Sequence, residues 1–226
     1  MTAAKPSTPA PAAAMRDRFR RRPHGARPGA LPRADGGPGR HAATTVTSAW
    51  AGPVLDFWFA ELGESHWWRK DPAVDAAIRA RFGELHAALT SGAEPLDTNA
   101  VTALAAVIVL DQFSRNLYRD DPRAFAADPR ARELARTIFA HGWDAGLSRE
   151  QRLFAALPFE HSEDRQDQAR AVELISALGD PGWTRFALAH QSLIERFGRF
   201  PHRNAVLGRE STPAEIAALR EPMSAF

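Results

Sequence analysis

The sequence predicts an all-α protein of about eight helices, joined by short turns into antiparallel helical hairpins. Three observations carry this. Apolar residues recur at helical steps, most cleanly at Val74, Ile78, Phe82, Leu85 and Leu89. Helix start signals recur along the chain: Asp71-Pro72, Asp128-Pro129, Ser148 with Gln151, and Thr212-Pro213 with Glu215. No stretch alternates with the period of two that a half-buried strand needs, and no Asn-Gly hairpin turn occurs.

The elements follow in order. Gly52-Pro53 opens a first helix carrying Val54, Leu55, Phe57, Trp58 and Phe59, with Gly63 near its end. Trp67 and Trp68 read as packing aromatics ahead of the next cap. Asp71 caps a helix with Pro72 in its first turn, and Gly92 ends it. Between Val101 and Leu110 only Thr102 is polar, so this helix is apolar all round and belongs in the interior. Asp128-Pro129 starts the next, with Leu134 and Ile138 inward and Gly142 as its stop. Ser148 and Gln151 form a capping box for a short helix that Pro158 terminates. Ser162 begins another, running to Gly179. Trp183, Phe186, Ala187, His190, Ile194 and Phe197 make one apolar face closed by Gly198, with His190 read as a core histidine. Thr212 and Glu215 cap the last helix.

The 226 residues are 44% hydrophobic and 25% charged, ordinary values for a single soluble domain. There is no cysteine, which excludes disulfides, thiolate metal sites and a cysteine nucleophile. The uncharged run Ala100–Leu110 falls short of the roughly 20 residues that a bilayer span needs, so no membrane span is expected. Charge is uneven. Residues 1–47 hold nine basic and two acidic side chains, a net of +7, which leaves −5 on the rest of a chain whose total is +2. This Pro-, Gly- and Arg-rich tail carries almost nothing large and apolar and is expected to be disordered, with a single all-α domain over 48–226. Its Arg16–Arg22 run is a basic patch of the kind that touches nucleic acid or anionic membrane, whereas the mildly acidic body suits neither. The tail equally fits a transit peptide, or a start placed too early, with Met15 or Val46 as the true beginning. With no apolar run after the arginines to mark a secretory signal, a cytoplasmic setting is expected.

Three polar clusters stand out. The stripe through Leu104, Ala105 and Ile108 continues at helical spacing into Gln112, Arg115 and Asn116, and Asp111 is spaced to pair with Arg115 along the helix. Polar groups on an inward stripe need partners, so this is either a buried network tying helices together or a polar pocket. A loop after Gly198 carries Arg199, His202, Arg203, Asn204 and Arg209. Guanidinium forks beside a histidine and an asparagine suit a carboxylate or phosphate, and they also suit helix capping or pairing with the acidic body. Third, His161 and Glu163 follow Pro158 as a possible general base and its orienting acid. No His-Glu-x-x-His or related spacing points to a metal, and no Gly-rich phosphate loop points to a nucleotide; no cofactor is expected.

The segments VLDFWF, WWRKDPAVDAAIRARF, LDQFSRNLYRDDPRAFAAD, LPFEHSED and RFGRFPHRNAVLGREST, spread from Val54 to Leu219, resemble the bacterial domain of unknown function family 924. GRFPHRN with LGR and ST-x-x-E is the most specific part, and Ser114 stands where the family usually has proline. The resemblance implies a tetratricopeptide-like superhelical arrangement and leaves the activity open.

Two functions stay in play beside a purely structural polar core. One is a binding module, with Asp111, Gln112, Arg115, Asn116, Arg199, Arg203, Asn204 and Arg209 around a small anionic molecule or peptide carboxylate. The other is an enzyme in which His161 or His202 is the general base and Glu163 orients it. Convergence of Arg115, His161 and Arg203 on one opening favours a site over a sealed network. The spacing settles neither oligomeric state nor ligand.

Overall fold

The computed structural model describes residues 48–94, 96 and 99–223; the expectations for the tail, for Met15 and for Val46 lie outside them. The described residues form nine helices and no strand. Helix α1 is Ala51–Leu55, continuing as a π-helical segment Asp56–Leu62 that ends at Gly63 in a positive-φ conformation. A short α2, Glu64–Trp67, follows. Helix α3, Pro72–Ser91, starts as its sequence predicts: the Asp71 carboxylate accepts from Ala73 N–H, and Gly92 closes the helix at φ 80°. Val74, Ile78, Phe82 and Leu89 are buried.

Helix α4 spans Ala100–Leu117 and is the axis of the fold. It is α-helical over Ala100–Val107, π-helical over Ile108–Phe113 and α-helical again over Ser114–Leu117. By length and composition it is apolar enough to cross a membrane, but 78% of it is buried inside the fold. Its sides are taken by α1, α3 and the next two helices, which makes it the core helix of a globular domain. Phe113 contacts the rings of Phe57, Trp58 and Phe82 at 6.0, 5.7 and 5.2 Å, and Trp58 meets Phe154 at 5.5 Å.

After a 3-10 turn at Pro122–Phe125 come α5 (Asp128–Ala140), α6 (Arg149–Glu160), α7 (Arg165–Ser176) and α8 (Pro181–Phe197). Each packs on the one before it. A 3-10 turn at Pro201–Arg203 leads to α9, Pro213–Ala218. The Ser148 and Thr212 capping boxes are both complete, and Gly198 ends α8 at φ 70°.

Three local expectations are corrected. Asp128 is the first residue of α5, not its cap, because its carboxylate turns inward to two arginines. Pro158 does not end α6; it sits in the final turn, where its missing N–H costs one backbone bond and the helix runs on to Glu160. Helix α7 begins at Arg165, capped by Asp164, while the Ser162 hydroxyl is buried and donates to Asp167 at 2.8 Å.

Candidate functional site

The polar cluster lies where the π segment of α4 meets the end of α6 and the loop after α8. A π turn holds one residue more than an α turn, and such turns gather at functional positions. Here the segment places Asp111 and Gln112 inside the fold, with Asp111 0% exposed.

Asp111 faces His161, the residue at the C-cap of α6. His161 Nδ1 stands 2.8 and 3.0 Å from the two Asp111 oxygens. An ionised carboxylate only accepts, so Nδ1–H donates and Nε2 is the ring nitrogen turned away from the carboxylate. Gln112 Nε2 donates to Asp111 at 2.6 Å, and Arg115 Nη2 lies 3.7 Å away. Burial alone would raise the Asp111 carboxyl, but the His161 ring, Arg115 and the Gln112 amide override it and hold the group well below the usual carboxylate range.

Arg115 donates to the Ala124 carbonyl and reaches Asp128 at 2.9 Å. Arg203 stands 3.5 Å from the same carboxylate through Nη1. Its guanidinium carbon lies over the rings of Phe125 and Phe200, 4.6 Å from each centroid, and Arg115 covers Phe125 at the same distance. Arg203 is 7% exposed, and its Nε has no hydrogen-bond partner. Burial, then the neighbouring Arg115, lower its pKa to about 10. Asp128 is raised by burial in spite of Arg115.

Behind these groups is a second imidazole–carboxylate pair. His190 Nδ1 lies 3.2 Å from Glu160 Oε1 and 2.9 Å from the Phe186 carbonyl, and its ring centroid is 6.2 Å from that of His161. Burial pushes Glu160 up to about 8, with Asp111 adding to the shift, and pushes His190 well down. Near neutral pH both are uncharged. The expectation of a buried histidine at position 190 holds, and its neighbour Glu160 is new.

The predicted residues divide. Asp111, Gln112, Arg115, His161 and Arg203 come together. Glu163 does not orient a histidine: its carboxylate accepts from Arg209 at 2.7 and 2.9 Å and from Phe200 N–H at 2.8 Å. Those bonds tie the loop after α8 to the turn before α7, and they keep Glu163 low although burial opposes it. The carboxylate beside a catalytic-type histidine is Asp111. His202 packs 5.4 Å from the Phe200 ring, and burial with Arg203 beside it lowers its pKa to about 3. Asn116 leaves the cluster to donate to Asp75 at 2.8 Å, beside Arg119. Arg199 clamps Glu215 at 2.6 Å, and Asn204 donates to Ser211 at 3.0 Å; both hold the C-terminal segment. Asp128, Glu160 and Phe125 escaped the sequence reading. Asp128 hid inside a helix-start signal, and Glu160 fell beyond a proline taken as a stop.

Among the described residues, no cluster of three or more His, Cys, Asp or Glu is placed to hold a metal ion. The partly exposed rim consists of His161, Arg115, Arg209 and Glu163, with side chains 19, 23, 24 and 29% exposed.

Fold and site together define an all-helical domain whose central helix widens into a π turn and carries a buried carboxylate–imidazole–guanidinium cluster. The family described as bacterial protein of unknown function (DUF924) matches residues 54–223, and the chain belongs to it. A solved structure of a protein of unknown function from Agrobacterium tumefaciens is 37% identical; the match covers 77% of this chain and 99% of that one, at a TM-score of 0.70. No curated protein matches the chain.

Proposed function

We propose that the protein binds a small anionic molecule, or the carboxylate end of a peptide, at Arg203. One observation carries the reading: a guanidinium that is almost wholly buried, with an unpartnered Nε and a single ion pair at 3.5 Å. Five N–H donors held out of water with so few acceptors cost several kcal/mol, and an anion entering from the rim supplies what they lack. Arg115 stands beside it on the same carboxylate and the same aromatic ring.

The test is thermal unfolding of the full chain with small carboxylates, phosphate esters and short peptides. A ligand at about 100 times its Kd adds roughly 2.7 kcal/mol, a rise of about 5–10 °C for a domain of this size. The rise should vanish in Arg203→Met. That variant, which replaces an under-paired charge by an apolar chain of similar length, should be as stable as the parent or about 1–2 kcal/mol more so. A severely destabilised Arg203→Met, with no compound shifting the parent, would count against a binding role.

The Asp111–His161 bond favours a second reading, acid–base chemistry on the bound molecule. A carboxylate that fixes the Nδ1–H tautomer leaves Nε2 to take or give a proton. Any turnover found among compounds that bind should fall about 100-fold or more in His161→Gln while their binding persists. Unchanged turnover would remove His161 from the chemistry.

A further inference from the structure

The groups packed around the Arg203 guanidinium, and their charges, restrict the anion further. Resting on the reading of Arg203 as an anion receptor, we infer that the group it takes is a planar monocarboxylate and not a phosphate dianion.

Shape comes first. The rings of Phe125 and Phe200 lie against the guanidinium, each centroid 4.6 Å from its central carbon, so approach along the faces is blocked. Nη1 points to Asp128. What remains is the side-on edge formed by Nε and Nη2, whose Nε has no hydrogen-bond partner. That edge offers two parallel N–H bonds in one plane. A carboxylate fills it with both oxygens in that plane. A phosphate brings further oxygens above and below the plane, towards the two rings.

Charge gives the second restriction. The groups around the edge balance: Asp111, Asp128 and Glu163 face Arg115, Arg203 and Arg209. Glu160 on α6 and His190 on α8 are buried neutral partners, and His202 in the loop after α8 is held neutral by burial. A monocarboxylate adds one negative charge to this balance. A phosphate dianion adds two, and an unmatched charge at a buried site is strongly disfavoured.

Isothermal titration of the full chain with acetate, benzoate and inorganic phosphate, at about pH 8 where phosphate is mainly the dianion, tests this. Acetate or benzoate should bind, and phosphate at least about tenfold more weakly. Arg203→Lys keeps the charge and loses the flat edge, so it should weaken the carboxylate tenfold or more and narrow its advantage over phosphate. Phosphate binding as tightly as the carboxylates, and weakening in Arg203→Met, would overturn the planar monocarboxylate while sparing the anion receptor. No binding that depends on Arg203 would end both.

Discussion

At the scale of single residues, the two histidine–carboxylate pairs are opposites, and burial decides which is which. Asp111 is ionised because an imidazole, a guanidinium and an amide all point at it; Glu160, facing a neutral imidazole and a like charge on Asp111, keeps its proton up to about pH 8. The sign of the stability effect follows. A carboxyl raised from 4.5 in the folded state stabilises fully below the unfolded value, and this contribution drains away as pH climbs from about 4.5 to about 8. Glu160→Gln, which copies the protonated form, should therefore leave stability near pH 5 unchanged. It should raise stability at pH 8–9 by on the order of a few kcal/mol, flattening the pH profile measured by chemical denaturation. A parallel profile in parent and variant would mean that Glu160 is ionised in the fold. Asp111→Asn acts the other way. It removes a paired buried charge and leaves Arg115 with Asp128 alone, so a loss of about 3–5 kcal/mol at pH 7 is expected, most of it absent at pH 2 where the parent has also lost the charge.

Helix ends, at the scale of elements, set where the site residues point. Gly198 stops α8 in a left-handed conformation at φ 70°, with open space where a Cβ would go. Only backbone strain therefore opposes Gly198→Ala, at about 1–2 kcal/mol, and because Phe200 and Arg203 hang from that turn, ligand-induced thermal shifts should shrink along with the melting temperature. A melting temperature that falls with undiminished ligand shifts would show the loop finding its place through Glu163 and Arg209 alone. The same ends show what could be read in advance. Local signals were legible because they act over three or four residues: the Asp71 cap, the two capping boxes, the Gly92 and Gly198 stops. Tertiary demands were not. The sequence 128–129 carries a start signal, yet Asp128 is drawn off the cap by arginines 13 residues before it and 75 after it. Asp111 and Arg115 stood out where an apolar helix turns polar, Arg203 in a polar loop and His161 beside Glu163, but the partnership of Asp111 with His161 spans 50 residues and no spacing rule encodes it.

For the whole molecule, core and site share one helix, and this couples them. Helix α4 buries Leu104, Ile108, Leu110 and Phe113 in the interior and then, within the same π turn, supplies Asp111 and Gln112 to the site. The polar groups hold position because the apolar ones are packed on every side, against α1, α3, α5 and α6. Truncating that ring in Phe113→Ala opens a cavity among Phe57, Trp58 and Phe82 and should cost about 3–5 kcal/mol. For a domain of this size that is a fall of roughly 6–20 °C. If core and site are one cooperative unit, tryptophan fluorescence, which reports six tryptophans, and helical circular dichroism should fall together in parent and variant alike. A ligand held at Arg203 should raise both midpoints by the same amount. Two separated transitions, with the ligand moving only one, would show instead that the loop after α8 and the end of α6 open as a unit of their own while α4 stays folded. The site would then gain and lose its ligand by local unfolding, without motion of the core.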